Sequence, residues 1–207
     1  MAGVLRLYFE ATLDTLVSTE GSFGAPDSVA SLDGGDGDTD ETAFWVAAEQ
    51  GVLNSDMDDS QTDLTLLAAR FATLPLIAVV TGAAVEVMAI TAGGGTTGLT
   101  VTRAQAGTSA IAHTTGDRVY LAYDTTSNSI SCRDNEQVVS GDESTWIEYA
   151  EDDGGAGTYA ASLSLGNLAY DSSQKIWRKV TIPASTSPKR KTDLIHDISH
   201  DVSEATL

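Results

Sequence analysis

Three histidines, one cysteine and 30 acidic residues are the side chains able to do chemistry in this chain of 207 residues. The spacing of a few of them invites a chemical reading. His196 and His200 lie four apart, which would stack two imidazoles on one helix face, within reach of a shared metal. The surrounding residues argue against a helix. Leu194, His196, Ile198, His200 and Val202 alternate with Ile195, Asp197, Ser199 and Asp201, and a period of two belongs to a strand. Four residues along a strand span roughly 13 Å, too far for one ion. A partly exposed final strand is expected, with no metal.

Asp36, Asp38 and Asp40 mimic the first three ligand positions of a calcium loop. The glycine required at the sixth position is Glu41, and Ala47 stands where the bidentate glutamate belongs, so the helix-loop-helix calcium motif is excluded. A looser calcium loop on the same three aspartates stays the one metal alternative, because clustered carboxylates repel unless a cation or water separates them. Cys132 has no cysteine to pair with and no histidine beside it in sequence. His113 is the candidate to serve it in space. A Gly-x-Ser-x-Gly elbow and a phosphate-cradling Gly-x-x-x-x-Gly-Lys are both absent from the sequence, and the acidic residues are too numerous to single out a catalytic pair. No enzymatic activity and no cofactor are expected. Trp45, Trp146 and Trp177 have the ring faces that stack on sugars, but each lies in an apolar strand pattern and is expected in the core.

The elements that must position these groups are strands. Alternation marks strands over 5–9, 43–47, 75–80, 84–91, 99–103, 119–123, 130–133, 146–151, 160–165, 175–182 and 193–202. Segment 64–71 fits both periods and is assigned to a strand. Between strands lie a Gly/Asp-rich exposed loop over 19–42, an acidic loop over 56–63, and turns at Thr81-Gly82 and over 93–98. The fold class is mainly β, in two or three small β-domains. These are residues 1–63 with long acidic loops, 64–125 as a β-module, and 126–207 as an immunoglobulin-like β-sandwich with a basic segment.

Charge narrows the partners. Eleven basic residues against 30 acidic ones leave a net charge of −19, which repels nucleic acid and excludes it as an expected partner. No apolar run approaches the roughly 20 residues that cross a membrane as a helix, and residues 1–9 lack the pattern of an export signal. Arg6 is the only base in residues 1–63, whereas six of the eleven bases lie between Lys175 and Lys191. Such polarity steers which surface of one subunit meets the next, and Lys189, Arg190 and Lys191 are candidate assembly contacts.

One constellation is more specific. Glu86, Val87 and Met88 are followed by Leu99-Thr-Val-Thr-Arg103, Gly107-Thr108, Ala110, Ala112-His113, Gly116 and Val119-Tyr120. Gly107 and Gly116 bracket a small-residue loop whose backbone can pack closely, His113 is a polar anchor within it, and Glu86 with Arg103 suits a cross-strand ion pair. The order and spacing resemble a module that recurs in tail, baseplate and other virion proteins of tailed bacteriophages. Ala104 stands where that module has glycine, so a negative φ or an altered bend is expected there. Gly154-Gly155, residues 176–183 and residues 192–194 are similar to phage structural β-domains more loosely. The resemblance implies a structural protein of the virion, from the tail, baseplate or neck, assembled in the host cytoplasm. Its implied partners are other virion proteins and copies of itself. A receptor- or carbohydrate-binding surface module and a capsid decoration protein are the alternatives.

Overall fold

Period-two alternation becomes strands nearly throughout the computed structural model, which describes residues 4–17, 32–134, 143–187 and 194–205. Among the described residues, thirteen strands follow one another: β1 (Leu5–Tyr8), β2 (Asp38–Ala48), β3 (Gln50–Val52), β4 (Asp63–Thr65), β5 (Leu76–Thr81), β6 (Ala84–Ala92), β7 (Gly98–Gln105), β8 (Arg118–Leu121), β9 (Tyr123–Asp134), β10 (Ile147–Glu151), β11 (Ser162–Leu168), β12 (Ser173–Ile182) and β13 (Leu194–Glu204). A 3₁₀ turn, Glu143–Trp146, precedes β10. The protein is nearly all β and forms several small β units.

Three sheets result, with orders β1-β2-β12-β10, β11-β9-β13 and β3-β8-β5-β6-β7-β4. The first two face each other as a sandwich. Leu5, Leu7, Phe44, Val46, Tyr149, Ile176 and Val180 of one meet Ile130, Leu165 and Leu168 of the other in one core. The sandwich therefore draws on both ends of the chain, since β1 and β2 pair with β12. The divisions at 63/64 and 125/126 fall inside β4 and β9.

The six-stranded sheet closes on itself. Its edge strands β3 and β4 are joined just beyond their ends by a bridge between Leu53 and Leu66. Asn54 N–H donates to Thr65 O at 2.8 Å and Leu67 N–H to Val52 O at 2.9 Å. Closure removes the unpaired edges that an open sheet presents. Leu53, Leu64, Ile77, Val79, Met88, Leu99, Val101, Val119 and Leu121 fill the interior, and Val4, Ala48 and Tyr123 at the sandwich junction complete the same core.

Local sequence is overruled in two places. Asp38 to Thr42, expected in a loop, are the first half of β2, because they pair in register with Arg178 to Ile182. Pairing with the mixed basic and β-branched β12 supplies what the aspartates' own propensity lacks. Segment 64–71 is a strand only through Thr65. Beyond it the chain turns outward, leaving Leu67 63 % exposed, and Phe71 returns to the core with φ of 60°.

Candidate functional site

Glu86 sits on β6 two residues from Met88, so both face the barrel interior. The Glu86 side chain has no exposure at all. A bare buried carboxylate would be strongly disfavoured, and here five donors surround it. Arg103 Nε donates to Oε1 at 2.7 Å and Nη2 to Oε2 at 2.6 Å, while the backbone N–H groups of Ala104 and Ile111 donate at 3.1 and 3.0 Å. His113 Nε2 lies 3.0 Å from Oε2. A carboxylate can only accept, so Nε2 of His113 carries a proton. Burial alone would raise the Glu86 pKa, but Arg103 and then the Ile111, His113 and Ala104 hydrogen bonds outweigh it and bring it from 4.5 down to about 2.

Arg103, on β7, uses all five of its N–H donors. Beyond the fork to Glu86, Nη1 donates to Asp58 O and Gln61 O, both at 2.8 Å, and Nη2 donates to Ile111 O at 2.6 Å. One side chain thus ties the acidic 56–63 loop and the 106–117 loop to the barrel wall. His113 extends the network. Its Nδ1 lies 2.6 Å from Thr81 Oγ1, which donates to Asp117 Oδ2 at 2.5 Å. Its backbone exchanges two hydrogen bonds with Met57. Thr108 Oγ1 accepts from Val87 N–H at 3.0 Å and donates to Gln105 O at 2.8 Å.

The glycines serve the same loop through conformation. Gly107 and Gly116 have φ of 79° and 96°, which a side chain would resist. Ala104 also has positive φ, 56°, which corrects the negative φ expected of alanine there. The turn keeps its left-handed bend because Ala104 N–H must reach Glu86 Oε1. The cost is about 1 kcal/mol of backbone strain.

Chemically this is a lock. The carboxylate is a weak base, the guanidinium has no donor left for a substrate, and His113 is held between Glu86 and Thr81. The structure brings Glu86, Arg103, Thr108, His113 and Gly116 to one end of the barrel, while Met88 packs in the core beneath. Sequence reasoning anticipated the Glu86–Arg103 pair. It missed Thr81 and Asp117, whose part depends on a loop folding back across the sheet.

The remaining candidates are dispersed. Asp36 lies in the turn before β2, whereas Asp38 and Asp40 are in the strand. Asp38 accepts from Asp33 N–H, and Asp40 accepts from Thr42 Oγ1. Among the described residues, no group of three or more His, Cys, Asp or Glu is arranged to hold a metal. Lys189, Arg190 and Lys191 lie outside the described residues. His196 is opposite Cys132 in the β9–β13 ladder, so the histidine beside the cysteine is His196 and not His113. Tyr149 Oη and His196 Nδ1 are 2.6 Å apart. Burial, then the nearby Arg178 charge, drives the His196 pKa down to about 3, and burial pushes the Tyr149 hydroxyl well above its ordinary value. His200 faces a different partner, accepting from Val4 N–H at Nε2.

The tryptophans, expected in the core, are partly buried, and Trp45 packs against the buried Tyr8, Leu13 and Ala47. None is fully buried. Trp45 and Trp177 project from the outer face of the four-stranded sheet, where Lys175 Nζ lies 5.8 and 4.8 Å from their ring centres. Trp177 Nε1 donates to Asp152 Oδ1 at 2.6 Å. Alternation placed these rings on one face and could not say that the opposite face, with Phe44 and Ile176, is the core.

No family model, curated protein or solved structure matches the chain. No helix among the described residues is long and apolar enough to cross a membrane.

Proposed function

We propose that the protein is a structural component of a tailed-phage virion, in the tail, baseplate or neck, where it holds neighbouring subunits in register. One observation carries this reading. The residues of the phage-like motif converge on a single closed hydrogen-bond network centred on Glu86, in which their polar atoms bond to one another and rigidify one end of the barrel. Rigidity with no reactive group presented suits a scaffold. Fully satisfied buried networks specify one arrangement of the chain, which subunits repeated in a particle require. The strand-rich architecture, with long β13 at a sheet edge, supports the same reading by offering a surface for a partner's strand.

The test is to tag the chain in the phage that encodes it and label purified particles with gold for electron microscopy. Label on the tail, baseplate or neck is the expected outcome. Label on the shell transfers the protein to the decoration class, and particles that lack the chain overturn the proposal.

The partly exposed Trp45, Lys175 and Trp177 on the outer face of the four-stranded sheet favour a second reading, a carbohydrate-binding surface on the virion. Aromatic rings beside a hydrogen-bonding cation suit a sugar ring. Quenching or shift of tryptophan emission on titration with host-surface oligosaccharides would support it, and an unchanged spectrum would reject it.

A further inference from the structure

Four arginines precede β9, and their fates differ. Arg6 pairs with Glu49 at 3.5 Å and Arg103 with Glu86. The other two, Arg70 and Arg118, line one open cleft of about 350 Å³ whose walls include Leu13, Val52 and Leu67. Among the described residues, Asp14 is the only carboxylate lining it. Arg118 Nη1 reaches Asp14 Oδ1 at 2.8 Å, with the two side chains 33 % and 52 % exposed. An ion pair so exposed contributes little and exchanges readily with a competing anion. Arg70 donates to three neutral carbonyls, those of Gln50, Ala69 and Asp14, so hydrogen bonding orients its guanidinium without cancelling its charge. Two cations against one carboxylate leave the cleft locally positive on a chain whose net charge is −19. Leu67, one of two large hydrophobic side chains exposed among the described residues, stands at its edge.

We infer that this cleft is the docking site for a carboxylate-bearing segment of a second copy of this chain, an inference that rests on the assembly reading above. The occupant follows from charge. With 30 acidic residues against 11 basic, the surface of a neighbouring copy presents mostly carboxylates, including the exposed Asp56, Asp58 and Asp59 of the loop before β4 and Asp63 at the start of β4. Two copies repel in most orientations, and a relative placement that brings a carboxylate to Arg70 and Arg118 relieves that repulsion. Leu67, and the exposed part of Val52, then bury apolar surface that the ion contacts alone would leave wet. A repulsive field with one attractive notch selects register, which is what the proposed scaffold needs.

The experiment is sedimentation velocity on the purified full chain over a concentration series, at about 0.05 M and about 0.5 M NaCl, which bracket a long and a short screening length. The variants are Arg118→Glu, at a partly exposed position, and Leu67→Ser, at an exposed one, with thermal melts to verify folding. Self-association that weakens about tenfold in each variant, with the gap between wild type and Arg118→Glu narrowing at the higher salt, supports the assignment. Association untouched by both variants overturns the cleft while leaving the assembly reading intact. A chain that stays monomeric throughout, yet is found in labelled particles, overturns the second copy as occupant. Wild-type stabilisation by millimolar phosphate or citrate that is absent in Arg118→Glu, without association, reassigns the cleft to a small anion and also overturns it.

Discussion

Arg103→Ala deletes the five N–H donors that hold the barrel end and leaves the Glu86 carboxylate, fully buried, with three of its five hydrogen bonds. Removing one partner of a buried pair costs about 3–5 kcal/mol, because the other is stranded out of water. Glu86→Ala strands Arg103 in the same way and costs a similar amount, about 3–5 kcal/mol. Independent losses would sum to about 6–10 kcal/mol, comparable with the whole stability of a small domain. The double variant strands neither charge, so the expected coupling is about 2–3 kcal/mol. Arg103→Lys keeps the charge and loses the fork, which places it between wild type and alanine and keeps the series measurable if the alanine variants unfold. Tryptophan fluorescence is the wrong probe, since Trp45, Trp146 and Trp177 all belong to the sandwich segments. Urea unfolding followed by far-UV circular dichroism, with hydrogen exchange at β6 and β7, reports the barrel. A coupling below about 0.5 kcal/mol, the ordinary limit of additivity, would refute the lock.

Acid should erode the same network. The folded Glu86 pKa lies below its ordinary value, so its contribution is present above pH 4.5 and disappears as pH falls from about 4.5 to about 2. That contribution is about 3 kcal/mol, and Glu86→Gln should lack this part of the pH dependence in urea titrations. His196, with a folded pKa near 3 against 6.5, likewise favours the folded state most above pH 6.5 and progressively less as pH falls toward 3. NMR titration of the folded protein should show no protonation step for its ring near pH 6.5. Ala104→Gly should change the melting free energy by less than about 1 kcal/mol, since relieved strain offsets added unfolded-state entropy, whereas Ala104→Val should destabilise by more than about 1 kcal/mol because a β-branched residue resists positive φ. Gly93, at φ of 81°, faces the Gly98 carbonyl so closely that an added Cβ would collide with it. Gly93→Ala should lower stability by about 1–3 kcal/mol in thermal melts.

Charge distribution gives the architecture a directional surface. The bases of β12 are engaged: Lys175 contacts Asp152 and Lys179 contacts Glu148 on the outer face, and buried Arg178 lies over the Phe44 ring at 4.7 Å. The basic character of the C-terminal half is thus partly internal. The positive notch at Arg70 and Arg118 arises in residues 64–125, outside the basic C-terminal segment.

Periodicity determined much of this molecule. Alternating side chains made β5, β6, β7, β12 and β13 legible, because a period of two admits one regular structure that buries one face. Glu86 and Arg103 were legible as a pair because opposite charges on adjacent hairpin strands come within reach of one another, although a register shift between β6 and β7, invisible in the sequence, sets their geometry. Which distant strands become neighbours was decided only by tertiary packing. The union of β1 and β2 with β12, the closure of β3 onto β4, and the convergence of Arg70 with Arg118 all join residues far apart in the chain, and no local pattern encodes such a pairing. Ala104 in a glycine conformation and Trp45 and Trp177 on an outer face have the same origin. The sequence states which residues share a face, whereas the packed whole decides which face turns inward and which backbone strain the surrounding hydrogen bonds can sustain.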